Sequence, residues 1–147
     1  MAADAAGPTV FDMVSTYLSG KTVKAMLAGS GFVFEKHVHN FRDDVTGEVT
    51  GTGYTAGGIT LTGVQAQLDA ANSRVEIVAD NADFGVLTVT GITQVITYIS
   101  TGVAANDRII GVHTFAAQSP NGANFTYQWN DDDANATTDG VIGHFSY

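Results

Sequence analysis

From Thr22 onward the apolar residues recur at every second position in short runs, and Gly, Asn, Asp or Ser punctuates the gaps. A period of two sends alternate side chains to opposite faces of an extended strand, so this pattern excludes most helical folds. Val23, Ala25 and Leu27 share a face in Thr22–Leu27, as do Val75, Ile77 and Ala79 in Arg74–Ala79. Strand-like runs also occupy Glu48–Tyr54, Ile59–Leu61, Gly63–Ala70, Val86–Thr90, Ile92–Ser100, Arg108–Ala116, Phe125–Trp129 and Val141–Tyr147. Asn72-Ser73 and Asp80–Asp83 read as turns, Arg42–Gly47 as a loop, and Phe32–Phe41 fits no pattern. Regularly spaced short strands without helix alternation predict a mainly β fold, an antiparallel sandwich or barrel of about eight strands.

The N-terminus breaks the period. Val10, Met13, Val14, Tyr17 and Leu18 form one helical stripe, which predicts a short helix over residues 10–18. Thr9 is its expected cap, with Asp12 in the first turn and Gly20 as the residue after the last. Residues 1–8 are small and are expected to form a loose arm. The chain is therefore divided into an arm and helix (1–20) and one β-rich domain (21–147), a length that can bury a core without staples.

Charge narrows the function. Six basic residues face 15 acidic ones, for a net charge of −9, and the basic ones are scattered. Phosphate binding needs clustered Lys and Arg, so neither nucleic acid nor an anionic membrane is an expected partner. No apolar stretch approaches the ~20 residues of a membrane-spanning helix. MAADAAGPTVFDMV lacks the basic start of a secretory signal, which predicts synthesis in the cytoplasm. Cysteine is absent, which removes disulfides and thiolate chemistry.

The motif most suggestive of chemistry is GTGYTAGGITLTG at residues 51–63. Gly51, Gly53 and Ala56 match the spacing of a dinucleotide-binding loop, but such a loop opens a helix. Here two further glycines and β-branched residues follow, and no lysine stands nearby for a P-loop. The stretch reads instead as a corner between strands, anchored by the Tyr54 ring. His37 and His39 would share a face on a strand and could hold a metal with Asp43 and Asp44, though a surface or interface pair is the preferred reading. Asp131, Asp133 and Asn135 copy the opening of an EF-hand loop. Ala136 then replaces its glycine and Ile142 its closing glutamate, leaving a weak calcium candidate on an acidic loop. No Ser–His context or apolar-flanked carboxylate pair suggests catalysis, and the Asn124 and Asn135 sequons carry little weight without a signal peptide. No cofactor and no enzymatic activity are expected.

Several segments in order resemble a family of small virion proteins of tailed bacteriophages. The resemblance runs through Val23–Leu27, Asp44-Val45, Glu48–Leu61 (EVTGTGYTAGGITL), Ile92–Tyr98 and Phe125–Trp129, across most of residues 10–130. The glycine–tyrosine stretch is its most specific part. The extension Asn130–Tyr147 departs from the family pattern. The resemblance implies a capsid decoration (cement) protein on the outer surface of the phage head, holding subunits of the major capsid protein together and forming a trimer with itself. A negative charge suits a position away from packaged DNA. The candidate interface residues are Val10, Met13, Val14 and Tyr17 on the helix, which is too short to be stable alone, then His37, His39 and Phe41, and Tyr54. Two alternatives are a tail, fibre-base or head–tail connector component, and a carbohydrate-binding sandwich stacking sugars on Tyr54, Tyr127 or Trp129. For Trp129, flanked by Phe125 and Tyr127, a core position is the preferred reading.

Overall fold

The two most apolar runs become the central strands. In the computed structural model, which describes residues 6–129 and 139–147, β1 (Thr22–Ala28) pairs along its whole length with β6 (Ile92–Ser100). β2 (Ile59–Thr60) and β7 (Ile109–Gln118) flank them in a four-stranded antiparallel sheet ordered β2-β1-β6-β7. A second sheet, β3-β4-β9, joins Gln65–Asp69, Arg74–Asp80 and Asp139–Ser146. A third pairs β5 (Ala82–Thr88) with β8 (Asn121–Tyr127). The described residues thus form a sandwich-like, mainly β fold of nine strands with no closed barrel.

The main core lies between the sheets. Val23, Ala25 and Leu27 of β1 meet Ile77 and Ala79 of β4, Phe84 and Leu87 of β5, and Ile142 of β9. An antiparallel sheet commonly leaves its other face in water. Here that face is covered as well: Met26 and Ala28 of β1, with Ile96 and Tyr98 of β6, are buried with Phe32, and Phe34 and Val45 pack against them. Burial on both sides explains why ITQVITYIS reads as a nearly continuous apolar run instead of an alternating one.

The helix α1 spans Gly7–Leu18, longer than its stripe. Pro8 sits in the first turn, where its fixed φ suits a helix start, and Ala6 takes the cap position expected for Thr9. Residues 7 and 8 are therefore helical and not arm; residues 1–5 lie outside the described residues. Leu18 is buried and Val14 packs on the core, so α1 rests on β3 and β4 of its own chain.

Two other expectations change. Glu48–Tyr54 is not a strand, because Gly51 and Gly53 lie hard against the β5 backbone and Glu48 turns inward. Single residue pairs, Ala28 with Glu48 and Thr52 with Thr88, are all that it adds to the sheets. Asp80–Asp83 is not a turn: only Asn81 separates β4 from β5, and Ala82 is buried as the chain passes between sheets. The patternless Phe32–Phe41 is irregular backbone, because its work is to cover the outer face of the four-stranded sheet.

Candidate functional site

The glycine corner is a locked structural joint. Glu48 is its hub: one carboxylate oxygen accepts the Tyr54 hydroxyl at 2.8 Å and the Gly57 N–H at 2.5 Å. The Tyr54 hydroxyl in turn accepts the Leu27 N–H of β1 at 3.0 Å. On the other side, the buried Tyr98 hydroxyl donates to the Gly57 carbonyl at 2.5 Å. Burial pushes both phenols above their usual range, so each remains a donor at any physiological pH. Gly58 has φ +74°, and a Cβ there would strike the Ala25 carbonyl. The corner therefore presses backbone to backbone against β1, which no other residue type allows.

The same network continues to a buried ion pair. The Arg42 guanidinium lies 5.3 Å from the Tyr98 ring centre and donates to Asp107 at 2.8 Å. The other Asp107 oxygen accepts the Thr101 N–H at 2.6 Å and the Thr101 hydroxyl at 2.8 Å. Burial alone would raise the Asp107 pKa, but the Thr101 and Arg42 hydrogen bonds outweigh it and hold the carboxyl below its usual range. The loop after β6 is thereby tied to the segment that covers the outer face. No buried side-chain polar atom of this network is left without a partner, an arrangement that holds shape.

Among the described residues Leu68, Val86 and Val103 are exposed, and the other exposed large apolar side chains fall on two separate parts of the chain. On α1, Met13 and Tyr17 are exposed (67% and 49%), and Phe145 of β9 joins them (51%). These three line a groove of about 870 Å³ between the helix and the open edge of the sandwich. Val10 and Val14 line it too, so all four predicted helix residues meet there. The second set is Val33 and Val38 (72% and 60% exposed), on the segment that covers the outer face. His37 is exposed beside them in a turn, not on a strand, so it shares no strand face with His39. The His39 ring packs 5.2 Å from Phe32, and its Nδ1 accepts the Glu35 N–H at 2.9 Å. Phe41 is half-buried beneath the Arg108 guanidinium, 5.0 Å away. Tyr54 is half-buried, with its hydroxyl bound inside the corner.

Trp129 is a core residue, as preferred: it is buried, its indole N–H donates to the Asp80 carbonyl at 2.8 Å, and Tyr127 meets it edge-on. His113 lies 5.0 Å from the indole with Nε2 3.3 Å from the Ile142 carbonyl, and burial lowers its pKa. Among the described residues no three His, Asp or Glu side chains gather to hold a metal, and no helix is long and apolar enough to cross a membrane. Asp131, Asp133 and Asn135 lie outside the described residues.

Sequence reasoning missed Arg108, Ile110 and Phe145 of the groove, and Val33 and Val38 of the second set. Their strands and loop were visible, but which strand ends face α1 is fixed by sheet order, which leaves no local signal. Compared with models of protein families, with curated proteins and with solved structures, the chain matches none.

Proposed function

We propose that this chain is a structural protein of a phage particle, a decoration protein that binds the outer surface of the head and holds capsid subunits together. The observation that carries the reading is that exposed apolar side chains stand on two separate parts of one sandwich, α1 with β9 and the segment that covers the outer face. The α1 patch is built on the inner core, through Leu18 and Val14. The Val33–Val38 patch is built on the outer core, through Phe32 and Phe34. A clamp must touch two neighbours through one stiff body, and exposed apolar patches of this kind mark contact surfaces. The net charge of −9 supports a place outside the shell, since it opposes contact with packaged DNA. The resemblance of Glu48–Leu61 to small virion proteins supports it further.

The test is the position and copy number of the chain in intact particles, by electron cryomicroscopy and quantitative mass spectrometry. Hundreds of copies on the outer shell are expected. A dozen or fewer, at the tail or portal, would replace this reading with the tail or connector one. Absence from particles would overturn it.

A further inference from the structure

The groove beside α1 carries a charge pattern that selects its occupant. Its helix wall is Val10, Met13 and Tyr17, and its opposite wall includes Ile99, Ile110 and Phe145. It is deep, since Ile99 belongs to the main core. Among these lining residues one is charged, Arg108. That is notable in a chain with six basic residues against 15 acidic ones. Arg108 is exposed, rests on the Phe41 ring, and makes no ion pair among the described residues. The neighbouring Asp107 carboxylate does not neutralise it, being turned inward to Arg42 and Thr101. Asp12 lines an adjoining, more open depression on the outer side of the helix, which shares Met13 and Tyr17 with the groove, and is not among the groove's own lining residues.

From this complementarity we infer that the groove seats an apolar segment of the shell subunit that carries a carboxylate, received by Arg108 at the rim. The assignment rests on the reading of the chain as a shell-binding protein. The chemistry favours such a segment on two counts. An apolar trough with exposed lips gains by being covered, and the unbranched Met13 side chain can adapt to what covers it. A guanidinium presents a planar fork that takes a carboxylate through two parallel hydrogen bonds, which fixes register as well as adding affinity.

The experiment replaces Met13 with the photo-cross-linking residue benzoylphenylalanine in the full chain, assembles particles, irradiates them and maps the cross-linked peptide. The expected product joins Met13's position to one peptide of the major capsid protein, with large apolar residues and an Asp or Glu a few positions away. Arg108→Glu lowers the yield about tenfold or more, the loss expected for a charge-assisted contact, and Arg108→Lys retains a good part of it. Chain that co-purifies with particles but cross-links to a second copy of itself, or to nothing, overturns the groove assignment and leaves the shell reading standing. A capsid peptide without an acidic residue, or a yield unchanged in Arg108→Glu, overturns the role of Arg108. Chain that does not co-purify with particles overturns the shell reading, and the groove assignment with it.

Discussion

The tightest point in the fold is Gly58, and replacing it by alanine separates two costs that are usually entangled. The residue sits at φ +74°. An L-residue in that region costs about 1–2 kcal/mol from the contact of its own Cβ with the backbone. The second cost is external. An added Cβ would overlap the Ala25 carbonyl oxygen and lie 2.6 Å from the Ala25 carbonyl carbon and 2.7 Å from the Met26 Cα, where ordinary contact begins at 3.4 Å. All three atoms are backbone of β1, so no side chain can swing away. The strands must part by about 1 Å, a shift that breaks the pairing of β1 with β2 at Ala25–Ile59 and Lys24–Thr60. At about 1 kcal/mol for each backbone hydrogen bond lost, Gly58→Ala should cost about 3–4 kcal/mol in all. Gly102 supplies the control, with φ +88° and nothing within 4 Å of its would-be Cβ. Gly102→Ala should cost only the conformational part, about 1–2 kcal/mol. Urea unfolding followed by circular dichroism reads the difference as a midpoint shift. A slope of about 1–3 kcal/mol per M puts Gly58→Ala well below Gly102→Ala. Equal midpoints for the two variants would refute the argument that backbone contact, and not φ, constrains the corner.

The rest of the network makes further predictions. Tyr98→Phe leaves the buried Gly57 carbonyl without its donor and should cost about 1–3 kcal/mol; hydrogen exchange should show faster opening of residues 29–58 with the β4–β9 amides still protected. Asp107→Ala strands Arg42 and the Thr101 N–H and should destabilise by about 3 kcal/mol or more, measured by the same urea titration. Because the Asp107 pKa is lowered on folding, its contribution is complete above the ordinary Asp pKa, about 3.9, and is lost as pH falls through the folded value. His113 changes in the same direction but in a higher window: its pKa is lowered by burial, so stability should decline as pH falls below about 6.5, where only the unfolded chain takes up the proton. His113→Gln keeps a donor for the Ile142 carbonyl and cannot titrate, so thermal melts between pH 7 and 5.5 should lose that decline.

How far the sequence discloses this molecule depends on which interactions are local. The period-two runs Thr22–Leu27 and Arg74–Ala79 locate β1 and β4, because alternation of side chains is a property of the strand itself, and the β-branched apolar run Ile92–Ser100 locates β6. The helix stripe is visible for the same reason, whereas its start is shifted by Pro8. Glu48–Tyr54 has the composition of a strand and is not one. Its glycines are there for close approach to β5, and that approach depends on a strand more than thirty residues away. The pairing of Arg42 with Asp107 spans 65 residues and has no signature at either end. The groove is the extreme case. Its walls come from the first element and from strands β4, β6, β7 and β9, which only the sheet order brings together.

These distant contacts also give the most specific stretch of the chain an architectural role. Gly57 and Gly58 hold the end of the covering segment against β1 and β6, while Arg42 and Asp107 hold its middle. That segment carries Val33 and Val38, so the second patch is only as rigid as the corner. The first patch depends on a different cluster, through Leu18 and Val14 on the inner core. The two surfaces are therefore supported by cores on opposite faces of one sheet, with β1 and β6 shared between them. A pull on either patch is carried into the same two fully paired strands. Shear between two strands paired along their whole length loads many hydrogen bonds at once, whereas peeling would load them singly. In the proposed clamp, this arrangement would carry tension between neighbouring subunits through β1 and β6.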